Sequence, residues 1–251
     1  MLLAGMGGAS TPELAAAVSN AGGLGILGAA ACGADELSEW IKRTRKLTDK
    51  PFGVDTLLPS TVPALGTSSQ FRAELPQGHV DFARNFKQRY QLPDPDRSAA
   101  RGGMAFSRDF FKKQIEVVLD EKVPVYVSGL GDPGFMVKEA HARGMKVMAV
   151  AGAVKHALRF VDSGLDVIVA QGTDGGGHNS RIGTMALIPQ VVDAVSPKPV
   201  VAAGGIADGR GIVAALALGA IGVWCGTPFL ATPESGIDDR CRRSAARRRQ
   251  T

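Results

Sequence analysis

Cysteine, long apolar runs and signal-peptide features are scarce or absent in this sequence of 251 residues. Its three cysteines, Cys32, Cys225 and Cys241, are too few and too far apart for a disulfide framework or a metal site. No stretch reaches the roughly 18 to 20 apolar residues that cross a bilayer. The first residues also lack the basic and apolar regions of a signal peptide. We therefore expect a cytoplasmic protein with no membrane partner.

A basic bias outside the C-terminal segment is also missing, although the net charge of the chain is +5. Residues 236–251 carry six arginines and two aspartates, whereas the other residues comprise 23 basic and 22 acidic side chains. A basic cluster that is confined to a terminus is typical of a solvated tail. We therefore expect residues 236–251 to be a disordered tail, and we do not expect a nucleic-acid partner.

Short apolar runs that alternate with helix-period segments make up most of the remaining chain. The runs predict eight strands, at Leu2–Ala4, Leu24–Leu27, Phe52–Asp55, Val125–Ser128, Lys146–Val150, Val167–Ala170, Pro199–Ala203 and Gly222–Cys225. The segments between them predict helices, among them Thr11–Ala21, Ala34–Lys46, Pro133–Ala142, Ala153–Ser163 and Gly209–Leu218. This alternation is typical of a parallel sheet that is buried on both faces. Eight such units favour an α/β fold of the (β/α)8 TIM-barrel type over residues 1–235, with an open doubly wound sheet as the alternative.

One segment interrupts the alternation. Residues 59–107, between the third and fourth predicted strands, are rich in Pro, Ser, Gln and Arg. A loop of this length in a compact domain is usually functional or disordered. Residues 79–92 within it have the composition of a helix, and in a barrel the insertion would rise from the carboxyl-terminal end. We therefore treat residues 59–107 as an insertion and a candidate lid.

Two glycine-containing turns follow the last two predicted strands. Gly204 and Gly205 end the seventh strand, and Gly226 and Thr227 end the eighth. In TIM barrels these loops commonly offer backbone N–H groups and a helix N-terminus to a phosphate group. Glycine permits the close approach of the anion because it has no Cβ. Phosphate binding is therefore one interpretation, and an ordinary strand-to-helix turn is the other.

A glycine-rich stretch, "AQGTDGGGH", follows the sixth predicted strand. It begins near Gln171 and ends at His178, the only one of four histidines at a predicted strand end. His79 lies in the insertion, and His141 and His156 lie on predicted helices, where solvated positions are the default. A histidine near neutral pH can take up a proton, because its ordinary pKa is about 6.5. His178 is therefore the candidate catalytic residue.

Several other nucleotide and hydrolase patterns are absent. "GMGGAS" near the N-terminus does not have the G-x-G-x-x-G spacing, and no acidic residue ends the second predicted strand. The H-E-x-x-H, P-loop and G-x-S-x-G patterns do not occur either. These absences argue against a dinucleotide-binding Rossmann domain, a zinc protease, a P-loop enzyme and an α/β-hydrolase.

Five pieces of the chain, in this order, resemble the nitronate monooxygenase family, formerly the 2-nitropropane dioxygenases. The pieces are "LAGMGG…ELAAAVSNAGGLGILG", "PFGVD", "AQGTDGGGH", "AAGGIADGRGIVAALALGA" and "GTPFLATPES". The family consists of FMN-dependent TIM barrels and includes the flavin enoyl-acyl-carrier-protein reductases. The resemblance covers residues 3–235, and after "TPES" the sequence departs from the family pattern.

The resemblance implies a role for each matching residue. Residues expected against the isoalloxazine ring or at its polar edge are Ala4, Gly5, Met6, Asp55 and Gln171. Residues expected at the FMN phosphate are Gly176, Gly204, Gly205, Gly226 and Thr227. His178 stands at the position of the family's active-site histidine.

The implied reaction is the FMN-dependent oxidation of an alkyl nitronate by O2 to a carbonyl compound and nitrite. One alternative is an FMN-dependent reductase that uses NAD(P)H on enoyl thioesters or quinones. Another is a catalytically impaired barrel that binds only phosphate or FMN, because the chain leaves the family pattern after "TPES". A homodimer is also expected.

Overall fold

The computed structural model describes residues 1–61, 75–93 and 107–247. Its strands are β1 Leu2–Leu3, β2 Gly25–Gly28, β3 Phe52–Leu57, β4 Val125–Leu130, β5 Lys146–Ala151, β6 Val167–Gln171, β7 Val200–Ala203 and β8 Gly222–Cys225. All eight are parallel and form one sheet in the order β1-β8-β7-β6-β5-β4-β3-β2. A parallel bridge between Leu2 and Leu24 joins the two ends of this order. The predicted (β/α)8 barrel is therefore confirmed.

Helices alternate with the strands along most of the chain. The described helices are α1 Pro12–Asn20, α2 Ala34–Leu47, α3 Gln77–Arg89, α4 Arg108–Asp120, α5 Gly134–Ala142, α6 Val154–Asp162, α7 Thr184–Val195, α8 Gly209–Ala217, α9 Thr227–Leu230 and α10 Asp239–Arg247. Within the described ranges, no helix has both the length and the apolar character needed to cross a membrane.

The chain divides into two compact units. Met1–Ser60 and Gln114–Thr251 form the barrel unit, and Thr61–Lys113 form the second unit. In the second unit, α3 overlaps the helix expected within residues 79–92, and the ring centroids of Phe86 and Tyr90, the residue after α3, lie 4.6 Å apart. Much of the candidate lid, residues 62–74 and 94–106, lies outside the described residues.

Local sequence signals explain where the helices begin and end. The Thr11 hydroxyl caps α1 by accepting a hydrogen bond from the Leu14 N–H, and Pro12 occupies the first helical position. The glycines at helix C-termini have left-handed backbones, as at Gly22 (φ +88°) and Gly219 (φ +92°). Such positions favour glycine because a Cβ strains this conformation.

Two apolar layers surround the strands. Alternate strand residues such as Val127, Val169 and Trp224 fill the inside of the barrel, as expected for a closed parallel sheet. The opposite faces pack against the helices, where Leu37 and Ile41 of α2 are fully buried. This packing fixes the carboxyl ends of the strands on one side of the barrel and their amino ends on the other.

The C-terminal segment differs from its prediction. Residues 239–247 form α10, so the expectation of disorder is wrong for them. Ala and Arg are good helix formers. Asp239 places an acidic side chain in the first turn, where it interacts favourably with the positive end of the helix dipole. The Arg242 guanidinium also donates a hydrogen bond to the Pro233 carbonyl at 2.7 Å. Residues 248–251 lie outside the described residues.

A carboxylate at the amino-terminal end of the barrel joins three elements. Asp166 accepts hydrogen bonds from the Lys146 ammonium (2.9 Å), the Val147 N–H (2.8 Å) and His141 Nε2 (2.8 Å). Burial raises the pKa of Asp166, but the hydrogen bonds from Lys146, Val147 and His141 together outweigh it and hold the pKa below its ordinary value. Asp166 therefore stabilises the fold in its ionised form.

We expect Asp166→Asn to lower the free energy of unfolding by about 1–3 kcal/mol at neutral pH, because charge-assisted hydrogen bonds are lost. The lowered folded pKa means that this contribution is present above the unfolded pKa of about 4 and is lost as the pH falls below it. Urea unfolding at several pH values measures the difference. Asp162→Asn, at an exposed position, is the control. Equal stability of the two variants at neutral pH would contradict the prediction.

Candidate functional site

Asp55 lies inside the barrel, near the carboxyl-terminal end of β3. The predicted strand Phe52–Asp55 continues to Leu57, so this residue lies within β3, opposite Gly28 and Val127. A Cβ added to Gly5 would collide with the Asp55 carboxyl group. A Cβ added to Gly129 would lie 2.7 Å from Asp55 Oδ1. The carboxyl group is therefore wedged between two glycines, which leave the space that it occupies.

The environment of this carboxyl group is unusual for an acid. Asp55 is 7% exposed, and its Oδ1 atom has no hydrogen-bond partner among the described residues. Burial raises the pKa of Asp55 well above its ordinary value, and the nearby Gly129 N–H opposes this rise only in part. A buried polar atom without a partner is rare and usually has a functional explanation.

The loop after β1 packs against the end of β8. The Ala4 N–H donates to the Cys225 carbonyl at 2.8 Å, and a Cβ on Gly226 would lie 3.1 Å from Met6 Sδ. The Ser10 hydroxyl holds this loop from below, because it donates to the Ala4 carbonyl (2.8 Å) and accepts from the Met6 N–H (3.1 Å). Ala4, Gly226 and Met6 are half-buried, so they form an apolar surface at the mouth of the barrel.

Gln171, the last residue of β6, holds the glycine-rich loop. Its Nε2 atom donates to the carbonyls of Gly176 (3.0 Å) and His178 (3.4 Å). The side chain of His178 is exposed and makes no hydrogen bond within the described part of the chain. The amide of Gln171 thus positions the loop that carries His178.

Two further residues hold this loop, and neither is among the candidate site residues predicted from the sequence. Asn179 Nδ2 donates to the carbonyls of Thr173 (3.0 Å) and Gly175 (2.9 Å). The Ser180 hydroxyl donates to the Gly152 carbonyl at 2.6 Å, which ties the loop to the end of β5. Their signal in the sequence is the polar pair directly after His178, which side-chain-to-backbone bonding of Asn and Ser explains.

The turn after β7 requires glycine at both positions. Gly204 has φ +105° and Gly205 has φ +70°, and a Cβ on Gly204 would lie 2.6 Å from Thr184 Oγ1. Asp174 accepts from the Thr184 N–H at 2.8 Å and thereby caps α7 from the glycine-rich loop. The hydrogen bonds from Thr184 lower the pKa of Asp174. The loops after β6 and β7 therefore pack directly against each other.

The turn after β8 lies beside that of β7, because the two strands pair in parallel. Gly226 precedes the short helix α9, and the Thr227 side chain is exposed. The sequence-predicted residues thus form two neighbouring groups at the carboxyl-terminal end. One group comprises Ala4, Gly5, Met6 and Asp55, and the other comprises Gln171, Gly176, His178, Gly204, Gly205, Gly226 and Thr227.

Two other histidines lie apart from His178. His141 is at the amino-terminal end with Asp166, so it has a structural partner. His156 lies in the first turn of α6 and is half-buried, whereas a solvated position was expected from the sequence. Burial lowers its pKa, with further lowering by the charges of Lys155 and Arg159.

A sequence model of the nitronate monooxygenase family matches residues 1–249. The chain belongs to this family. A Mycobacterium tuberculosis protein named as a monooxygenase, Rv1533, is 45% identical over 232 residues, which are 89% of this chain and 62% of that protein. A Staphylococcus saprophyticus protein named as a nitronate monooxygenase is 34% identical over 100% of this chain and 70% of its own length.

Solved structures of similar proteins have the same fold. A nitroalkane oxidase from Streptomyces ansochromogenes aligns with a TM-score of 0.77 at 36% identity, over 97% of this chain and 69% of that one. FabK from Thermotoga maritima aligns with a TM-score of 0.75 at 35% identity, over 96% of this chain and 62% of that one. This chain therefore spans about two thirds of the length of the relatives that it matches.

We expect Gly5→Ala to reduce the free energy of unfolding by about 1–3 kcal/mol, because its methyl group collides with the Asp55 carboxyl. Gly7→Ala is the control, since a Cβ there meets nothing within 4 Å. Urea unfolding followed by circular dichroism measures both variants. In an Asp55→Ala background, Gly5→Ala should cost less, because the obstructing group is gone. The same cost in both backgrounds would refute the contact.

Proposed function

We propose that this chain binds FMN at the carboxyl-terminal end of the barrel and oxidises alkyl nitronates with O2 to a carbonyl compound and nitrite. The observation that carries the proposal is the packing of the glycine loop bearing His178 against the left-handed turn at Gly204 and Gly205. Family membership supports the proposal, as does the likeness to a protein titled nitroalkane oxidase.

The turns after β7 and β8 have the properties that an FMN phosphate group requires. Gly204 and Gly205 remove the side chains that would block an anion, and α8 begins a few residues later with its N-terminus at this end of the barrel. Gly226 and the exposed Thr227 hydroxyl lie on the neighbouring turn. Backbone N–H groups, the α8 dipole and this hydroxyl would hold the phosphate.

The other group of residues fits the flat ring of FMN. Ala4 and Met6 offer half-buried apolar surface, and Gly5 allows close approach. Asp55 has a buried oxygen without a partner, which the polar edge of a flavin could satisfy. The side-chain Nε2 atom of Gln171 donates to the glycine-rich loop. Its side-chain oxygen, Oε1, would therefore accept a hydrogen bond from the same edge of the flavin. These residues would bind and orient the ring.

FMN, when bound, supplies the redox chemistry, since it takes electrons from the nitronate and passes them to O2. The chain's part is to bind the anionic substrate, orient it against the ring and handle its proton. His178 is the residue for this work, because its imidazole is exposed and unpartnered in the described structure. It would accept a proton from the carbon of a neutral nitroalkane or, once protonated, donate to a nitronate oxygen.

A second candidate is an FMN-dependent reductase that takes electrons from NAD(P)H and reduces enoyl thioesters or quinones. The family resemblance to flavin enoyl-acyl-carrier-protein reductases favours it, and the likeness to FabK supports the same fold. Anaerobic mixing separates the two candidates. Bleaching of the flavin by an alkyl nitronate without NAD(P)H supports the oxidase, whereas bleaching by NADPH alone supports the reductase. The expected homodimer is a separate proposal, tested by light scattering.

We expect the purified protein to be yellow and Gly204→Val to reduce FMN affinity at least about tenfold, because the branched side chain strains the turn and fills the phosphate approach. Gly183→Ala is the control, since a Cβ there meets nothing within 4 Å. Fluorescence titration with FMN measures the affinities. A colourless protein that does not bind added FMN would refute the proposed cofactor, and normal affinity of Gly204→Val would assign Gly204 to an ordinary turn.

We expect His178→Asn to keep the flavin spectrum but to lower nitronate-dependent flavin reduction by about 10²- to 10⁴-fold, the usual contribution of a proton-transfer residue. Anaerobic stopped-flow measures the reduction rate. The matched control is His141→Asn, at the opposite end of the barrel. The nitronate should reduce the flavin of this variant at the wild-type rate. If His178→Asn also reacts at the wild-type rate, His178 has no part in the reaction.

A further inference from the structure

Asp55 is a buried carboxyl group without a counter-charge. None of the ion pairs within residues 1–61, 75–93 and 107–247 includes it, and its Oδ1 atom has no hydrogen-bond partner there. Glycine and not a polar side chain contacts it on two sides, at Gly5 and Gly129. An ionised carboxylate in such a place loses its hydration, and the Gly129 N–H compensates this loss only in part.

Among the described residues, the neighbours of Asp55 on each packed element add no positive charge. Its strand partners are Gly28 on β2 and Val127 on β4, and the loop after β1 contributes Gly5. The titratable neighbour is Tyr126, whose hydroxyl is 2.8 Å from Thr56 Oγ1. Burial raises the pKa of Tyr126, so this phenol stays neutral near Asp55.

We propose that Asp55 is a neutral carboxylic acid in the folded protein and that its hydroxyl is a hydrogen-bond donor for the polar edge of the flavin ring. This inference rests on the proposed function, because it assigns the partner of the unpaired carboxyl to the cofactor. In this role Asp55 positions the cofactor by donating a hydrogen bond and not through a negative charge. Desolvation acts in the same direction, since it raises the pKa of the Asp55 carboxyl.

The proton on Asp55 has two consequences for the cofactor. A neutral donor stabilises negative charge on the ring as the ring gains electrons, whereas a carboxylate would repel it. Flavin affinity and reduction potential should therefore fall when Asp55 ionises at alkaline pH. The raised folded pKa also affects stability: the contribution of Asp55 is fully present below the unfolded pKa of about 4 and declines as the pH rises from there to the folded pKa.

Asp55→Asn and Asp55→Leu test this inference. Asn keeps a neutral donor of the same shape, and Leu keeps the volume without a donor. Infrared difference spectra of the flavin-free wild type and Asp55→Asn, in H2O and D2O at neutral pH, report the protonated carboxyl directly. Fluorescence titration with FMN between about pH 6 and pH 9 and spectroelectrochemistry report the cofactor.

We expect a protonated carboxyl band in the wild type that Asp55→Asn lacks. FMN affinity of the wild type should fall relative to Asp55→Asn as the pH rises, because both proteins bind the same cofactor and only Asp55 can ionise. Asp55→Leu should bind FMN about tenfold more weakly than Asp55→Asn at neutral pH and have a lower flavin potential.

Two negative results have different meanings. Absence of the protonated band at neutral pH, or a pH dependence identical in the wild type and Asp55→Asn, would overturn this inference and leave the proposed FMN function standing. Failure of the wild type to bind FMN at any pH would overturn both, and the infrared spectra would still report the protonation state of Asp55.

Discussion

Close backbone packing at the carboxyl-terminal end of the barrel is the constraint on which the candidate site depends. A Cβ on Gly28 would collide with the Met6 backbone, and one on Gly172 would collide with Thr184. A Cβ on Gly131 would collide in the same way with the Leu58 carbonyl. Each loop therefore reaches its neighbour through a position that cannot hold a side chain. This contact of backbone on backbone brings loops from different strands near enough to share one flat ligand.

The same close packing encloses the buried carboxyl group of Asp55, which is energetically unfavourable. Gly5 and Gly129 leave a space that Asp55 fills, and no described side chain compensates the buried carboxyl group. An apolar or amide residue there would cost less, because it would not require a proton to stay neutral. Natural proteins retain such groups mainly at functional sites, where stability is exchanged for activity. The burial of Asp55 is thus an independent argument that this end of the barrel is the functional one.

The barrel and the glycine turns at its strand ends could be predicted because they depend on local patterns. Gly22 and Gly219 directly follow two predicted helices, and Gly204 and Gly205 adopt the backbone that only glycine tolerates well. Helix α7 was not among the helices named from the sequence, and it contains Pro189, a residue type that disfavours helix interiors. The helix in the arginine-rich tail was missed because composition favoured a solvated coil over the helix propensity of Ala and Arg.

The features that could not be predicted from the sequence depend on long-range contacts. The predicted third strand ended at Asp55, yet β3 continues to Leu57, because its last residues pair with β4, which lies far away in sequence. The anchoring roles of Asn179 and Ser180 likewise depend on where the glycine-rich loop folds back. Side-chain hydrogen bonds of this kind leave only a weak signal, since Asn and Ser are common in any loop.

The carboxyl groups of Asp166 and Asp55, at opposite ends of the barrel, have opposite environments. At the amino-terminal end, Asp166 is ionised, has three hydrogen-bond donors and joins the surrounding elements. At the carboxyl-terminal end, Asp55 is buried, lacks a partner for Oδ1 and has a raised pKa. The hydrogen-bonded Asp166 carboxylate adds stability, whereas the Asp55 carboxyl group lacks one hydrogen bond that a ligand would supply. Binding at that end should therefore stabilise this protein through Asp55 as well as through the glycine turns, which links occupancy of the site to the integrity of the whole barrel.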